Sequence, residues 1–95
     1  MDVNQHNEFG MTALMLASFF GHIDVVKSIL KHKNLNINQQ TKYGRTALHF
    51  ASMKGHPGVV ELILQAKDVV QVDLKDEYEQ TALIYALQKG YIPKS

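Results

Sequence analysis

Three segments of the chain align without gaps: NEFGMTALMLASFFGH, TKYGRTALHFASMKGH and DEYEQTALIYALQKGY. The Thr-Ala-Leu triplet begins at Thr12, Thr46 and Thr81, 34 and then 35 residues apart, and Gly21, Gly55 and Gly90 keep the same spacing. So do the pairs Val3-Asn4, Ile37-Asn38 and Val72-Asp73 that precede each unit. Many positions in phase over a period near 33 constrain the fold more than any composition does. A unit of that size cannot bury its apolar face alone and must stack on its neighbours.

Each recurring residue has a local physical role. Thr12, Thr46 and Thr81 stand where a helix begins, and a hydroxyl there accepts a bond from an orphan backbone N–H. Leu14/Ala17, Leu48/Ala51 and Leu83/Ala86 recur at three-residue spacing and are expected to line the buried side of a short first helix. Gly21, Gly55 and Gly90 supply the positive φ that ends it. Second helices are read at IDVVKSILKH and PGVVELILQA. Val25, Val26, Ile29 and Leu30 form one apolar face, and Val59, Val60, Ile63 and Leu64 form its counterpart. Pro57 opens its helix, where a missing N–H costs nothing.

GRTALHFAS, GHPGVVELIL and the preceding LNIN resemble the ankyrin repeat, whose pattern runs G-x-T-P-L-H-x-A-A, then G-H, an apolar helix and D-V-N. The likeness spans nearly the whole chain. Ala13, Ala47 and Ala82 replace the family's proline, a mild change because alanine has the best helix propensity. The resemblance implies an all-α solenoid of stacked helix–turn–helix units with projecting β-turn or hairpin loops. It is expected as a single domain over 1–95, with repeat 1 about 7–38, repeat 2 about 41–73 and a partial repeat 3 about 76–95. The insertions relative to a 33-residue unit fall between Leu30 and Asn38 and between Leu64 and Asp73, in the loop after the second helix.

The pattern lapses in three places. Glu79 occupies the turn position held by Gly10 and Gly44, so the turn is either strained or changed in shape. After Gly90 only YIPKS remains, too short for a second helix. The first helix, ALMLASFF, has only Ser18 to offer water, unlike a polar cap. Flanking repeats, end-to-end self-association and a marginal small domain each account for uncapped ends.

Composition closes several other routes. With 10 basic and 9 acidic residues the net charge is +1, which gives no electrostatic footprint for nucleic acid or an anionic membrane. No cysteine means no disulfide framework, thiolate zinc site or cysteine nucleophile. No signal peptide is visible at the N-terminus, and the longest apolar run, Ala13 to Phe20, is too short to span a bilayer. An intracellular, cytoplasmic or nuclear, location is expected.

Nor is a reaction centre legible. His22, His49 and His56 fall at the family's structural histidine positions, where the resemblance implies that His49 bonds to its threonine hydroxyl and nearby backbone. Met15 and Ile84 replace His49 in the other units, so that bond is expected once only. His6 and His32 lack a second ligand at helical spacing. Asp76, Glu77 and Glu79 are read as a solvated turn, and Lys27, Lys31, His32 and Lys33 as a solubilising face. No catalytic, metal or cofactor-binding residue is expected, and the chain is read as a non-enzyme.

The resemblance implies instead that another protein binds to the finger turns and the exposed side of the first helices. Those positions are His6, Glu8, Phe9, Met11, Phe19 and Phe20, then Gln40, Lys42, Tyr43, Arg45, Met53 and Lys54, then Lys75, Glu77, Tyr78, Gln80, Gln88 and Lys89. Phe9, Tyr43 and Tyr78 share one turn position and are expected in a row, as anchors of a partner or as packing for the adjacent finger, with Arg45, Met11 and Met53 around them. Phe19 and Phe20 either join that surface or face a preceding repeat. The alternative role is a structural or regulatory segment of a larger enzyme, transporter or effector, contacting its own chain. The family's asparagine at the Asn38 position is hydroxylated in some members, although Asn36 stands where an acidic residue is usual.

Overall fold

A computed structural model describes residues 2–66 and 68–90. It contains five helices: α1 (Ala13–Phe20), α2 (Ile23–Leu30), α3 (Ala47–Met53), α4 (Pro57–Leu64) and α5 (Ala82–Gln88). α1 packs on α2 and α3 on α4 as antiparallel pairs. Laterally, α1 lies against α3, α3 against α5, and α2 against α4. The first helices thus form one layer and the second helices another. Among the described residues β-pairing amounts to one isolated antiparallel bridge, His6 with Thr12.

The threonines cap as their position requires. Thr12, Thr46 and Thr81 each accept the N–H of the residue three positions on, at 3.3, 3.2 and 3.4 Å. In α3 the cap is reciprocal, because His49 Nδ1 accepts the Thr46 N–H at 3.2 Å. The imidazole–hydroxyl bond is made in the second unit, and in α1 the Met15 sulfur replaces only its backbone counterpart, taking the Thr12 N–H at 3.4 Å. A thioether is a weak acceptor at the same reach, so methionine preserves the cap geometry.

Helix ends follow the glycines, with φ of 72° at Gly21, 71° at Gly55 and 86° at Gly90. Between α1 and α3 the approach needs glycine for a second reason. An ideal Cβ on Gly21 would lie 2.7 Å from the His56 ring, which donates from Nε2 to the Phe19 carbonyl at 3.0 Å.

The core is Leu14, Met15, Ala17, Val26, Ile29, Ile37, Ala47, Leu48, Phe50, Ala51, Val59, Val60, Ile63 and Ala82. Two of the expected core positions are exposed instead. Leu83 is 51% exposed although Leu14 and Leu48 are buried, and Val25 is 49% exposed although Val59 is fully buried. Both depend on a neighbour: the Leu14 and Leu48 position faces the next unit, and the Val59 position faces the preceding one. Ser18, expected to meet water, is fully buried and donates to the Leu14 carbonyl at 2.7 Å. The exposed large apolar residues of α1 are Leu16 and Phe20.

Asparagines tie the loops of successive units together. Asn4 donates to the Asn34 carbonyl at 2.8 Å and accepts the Asn36 N–H at 2.7 Å. One unit on, Asn38 donates to the Val69 carbonyl at 2.7 Å and accepts the Gln71 N–H at 2.7 Å. Both ends of each amide are therefore engaged, which fixes the spacing of the units just ahead of the fingers.

Candidate binding surface

Each finger is a turn closed by one side chain at its base. Asn7 Oδ1 accepts the N–H groups of Phe9 and Met11 at 2.9 and 3.0 Å. Thr41 Oγ1 accepts those of Tyr43 and Arg45, both at 3.2 Å. Asp76 Oδ1 accepts those of Tyr78 and Gln80 at 2.9 and 3.1 Å. Three different residues perform the same task because each has a short side chain ending in an oxygen acceptor. Sequence reasoning passed over all three; the legible signal was an Asn, Thr or Asp five residues before each capping threonine.

Adjacent fingers are bonded along their backbones, Lys42 N–H to the Phe9 carbonyl at 3.4 Å and Glu77 N–H to the Tyr43 carbonyl at 2.9 Å. This closeness explains the turn glycines. A Cβ on Gly10 would stand 3.0 Å from Thr41 Cα, and one on Gly44 would stand 3.0 Å from Asp76 Cα. Glu79, in the last described finger, keeps the same turn shape at φ 62°. Its turn is strained rather than reshaped.

The three turn aromatics occupy equivalent places and are exposed: Phe9 48%, Tyr43 41% and Tyr78 62%. Cations lie among them. Lys42 Nζ is 5.6 Å from the Phe9 ring centroid and 5.5 Å from that of Tyr43, and the Arg45 guanidinium carbon is 5.7 Å from the Tyr78 centroid. Each contact is within cation–π range and holds an aromatic in place without burying it.

The remaining predicted residues divide between surface and core. Phe20 and Lys54 are exposed, and Phe20 stacks on His22 with centroids 5.9 Å apart. Phe19 is half-buried and meets Phe20 and Phe50 edge to face, at 4.9 and 6.0 Å, so it packs toward the following unit. Lys54 Nζ stands 4.9 Å above the Phe19 ring. Met11 and Met53 pack partly against the core. Of the neighbouring positions, His6, Glu8, Gln40, Lys42, Lys75, Glu77, Gln88 and Lys89 are exposed.

Arg45 and Gln80 belong to a polar network under the fingers. Asp76, read from sequence as part of a solvated cluster, is buried. Its Oδ2 accepts the Tyr85 phenol and lies 3.6 Å from Arg45 Nε, an ion pair without a hydrogen bond. Burial pushes the Asp76 carboxyl upward. The Tyr85 hydroxyl and the N–H groups of Gln80 and Tyr78 outweigh burial and hold it below the usual carboxylate range. Burial and the bond to Asp76 together push the Tyr85 phenol up.

His49 joins this network to α3. Its Nε2 donates to the Gln80 carbonyl at 2.9 Å, which leaves Nδ1 unprotonated to accept from the Thr46 N–H and hydroxyl. Burial lowers its basicity, and the bond to Gln80 only partly offsets that. A proton on Nδ1 would face the Thr46 N–H. The histidine is thus held as one neutral tautomer spanning two units, which is a structural task. Among the described residues no group of three His, Cys, Asp or Glu side chains has the spacing to hold a metal. No helix among them is long and apolar enough to cross a membrane.

A family model described as Ankyrin repeats (3 copies) matches residues 1–73 and 36–93. No curated protein matches the chain.

Proposed function

The chain belongs to the ankyrin-repeat family, whose members are generally protein–protein interaction modules, and we propose that it holds a partner protein through its finger turns and first-helix row. Ankyrin domains are typically non-catalytic. The observation that carries the reading is the ridge Phe9, Tyr43 and Tyr78. These are three exposed rings in register, on fingers stitched together by backbone bonds. Large rigid aromatics lose little conformational freedom when covered, and tyrosine is enriched among interface anchors. Phe20, Lys54 and the accessible parts of Phe19, Met11, Met53, Arg45 and Gln80 complete the surface.

Affinity capture from the native source tests it. The wild-type chain is expected to hold a partner that the Phe9→Ala, Tyr43→Ala, Tyr78→Ala triple variant loses, with an unchanged helical circular dichroism signal. Capture that persists undiminished in the folded triple variant refutes the ridge as the site.

A second reading rests on the exposed apolar side chains at the two ends of the stack, Leu16 and Val25 at one, Leu83, Ile84 and Leu87 at the other. These fit docking against further protein, supplied by the same chain or by a second copy end to end. Solution mass separates the two: a concentration-dependent oligomer that Leu87→Glu dissolves supports the copy. A monomer at all concentrations excludes it.

A further inference from the structure

Charge is sorted on the candidate surface. The first-helix segments α1, α3 and α5 contain no charged side chain, and the residues that follow α3 and α5 are Lys54 and Lys89. Both stand at helix C-termini, where a cation is favoured by the helix dipole. The Lys89 stem reaches back to the turn that follows α3, since an ideal Cβ on Gly55, the residue after Lys54, would lie 3.8 Å from Lys89 Cδ. The ion pairs among the described residues are Arg45–Asp76 and Lys75–Glu79, and neither engages Lys42, Lys54 or Lys89. Lys42 and Lys54 rest on aromatic faces instead, which orients them without neutralising their charge. Exposed or half-buried carboxylates lie off the first-helix row: on the finger turns at Glu8, Glu77 and Glu79, and in the second helices and loops at Asp2, Asp24, Glu61, Asp68 and Asp73.

The row is also graded along the stack. Its equivalent positions read Phe19-Phe20 in the first unit, Met53-Lys54 in the second and Gln88-Lys89 in the third. One end is aromatic and apolar, and the other is cationic and polar. Three helices side by side at about 9 Å span about 18 Å, the length of about six extended residues.

We propose that the segment held on this row is an acidic peptide with one apolar anchor. The anchor sits against Phe19 and Phe20, and its carboxylates run toward Lys54 and Lys89. This rests on the reading of the chain as an interaction module and specifies its ligand. A basic peptide is disfavoured by the same pair of uncompensated lysines, so the row sets both the class of ligand and its direction.

Selection from a random dodecamer peptide library against the full chain tests the proposal. Enriched peptides are expected to carry Asp or Glu together with an aromatic or aliphatic residue, and to bind more weakly as salt rises. A Lys54→Glu, Lys89→Glu variant, altering two exposed side chains, is expected to fold as the wild type by circular dichroism. It should bind the selected peptides about tenfold more weakly and enrich basic peptides instead. Neutral or basic peptides enriched by the wild type overturn the proposal, as does affinity indifferent to the double reversal. If such peptides still require Phe9, Tyr43 and Tyr78, the interaction module stands and only its ligand class falls. No enrichment over bare support also overturns the proposal.

Discussion

The His56 imidazole occupies the space that a Cβ on Gly21 would need, with its Nδ1 only 2.7 Å from that ideal position. One atom's absence thus admits a ring that crosses between units to bond the Phe19 carbonyl. Gly21→Ala should therefore lose on two counts. The left-handed backbone, φ 72°, costs about 1–2 kcal/mol with a Cβ, and expulsion of His56 forfeits about 1 kcal/mol of hydrogen bonding. At Gly90, φ 86°, nothing lies within 4 Å of the added atom, so Gly90→Ala bears only the backbone cost. Unfolding free energies of the two variants from urea titration should differ by about 1 kcal/mol, Gly21→Ala being the weaker. Equal losses would mean that His56 shifts without consequence.

The Tyr85 phenol and the Asp76 carboxylate meet across the third finger, and the buried carboxylate relies on that donor. Removing a hydrogen bond to a buried charged group costs about 1.5–3 kcal/mol. Tyr85→Phe should destabilise by about that much while leaving the ring contact with His49 in place, centroids 6.0 Å apart. Asp76→Asn retains the acceptor for Tyr78 and Gln80, as Asn7 does in the first finger, and removes the charge beside Arg45. The double variant should lose less than the sum of the singles, because each single strands the partner of the other. Strict additivity in chemical denaturation would show the pair to be uncoupled.

Acid should weaken the fold in two windows. His49 is held neutral, with its basicity below the ordinary value of 6.5, so the unfolded chain binds the proton first. Its contribution is complete above about pH 6.5 and is lost as pH falls toward the folded value. The Asp76 carboxyl is held below its ordinary 3.8, so its contribution is complete above that pH and is lost as pH falls further. His49→Met, the residue that Met15 provides in α1, should keep the helix cap and forfeit the bond to Gln80. At pH 7 it should be about 1 kcal/mol less stable than wild type. The gap should narrow as pH falls below about 6.5, read as urea midpoints. A constant gap down to pH 4 would show that His49 does not titrate on unfolding.

Much of this was legible because a repeat states its own rules several times. Thr12, Thr46 and Thr81 announced three helix starts, and Gly21, Gly55 and Gly90 announced their ends. Position within a unit does not, however, say which neighbour covers it, so Leu83 and Val25 matched their buried counterparts in sequence yet remain exposed. Asp76 was misread for a related reason. In sequence it sits among Glu77 and Glu79, and its phenolic donor comes from Tyr85 in the next helix, its cation from Arg45 in the preceding unit. The ridge positions were legible as a register. The lysines set between and over the rings were not, since long side chains choose their partners only once the fingers are stacked.

Glu79 is where the rule of the turns was broken without being abolished. At Gly10 and Gly44 two constraints act together, a positive φ and a following finger 3.0 Å from any Cβ. Glu79 keeps only the first, with φ 62°. A left-handed non-glycine residue costs about 1–2 kcal/mol, and glycine returns about 0.5–1 kcal/mol of that through the greater freedom of the unfolded chain. The Lys75–Glu79 pair, 3.9 Å apart with both side chains largely in water, adds little. Glu79→Gly should therefore stabilise the stack by about 0.5–1 kcal/mol, whereas Glu79→Ala, which keeps the strain, should change it little. Gly44→Ala should destabilise beyond the cost of φ alone, because Asp76 Cα cannot move aside without pulling the third finger away. Thermal unfolding of the three variants under identical conditions decides the matter. Loss of stability in Glu79→Gly would mean that the left-handed glutamate bears no net strain.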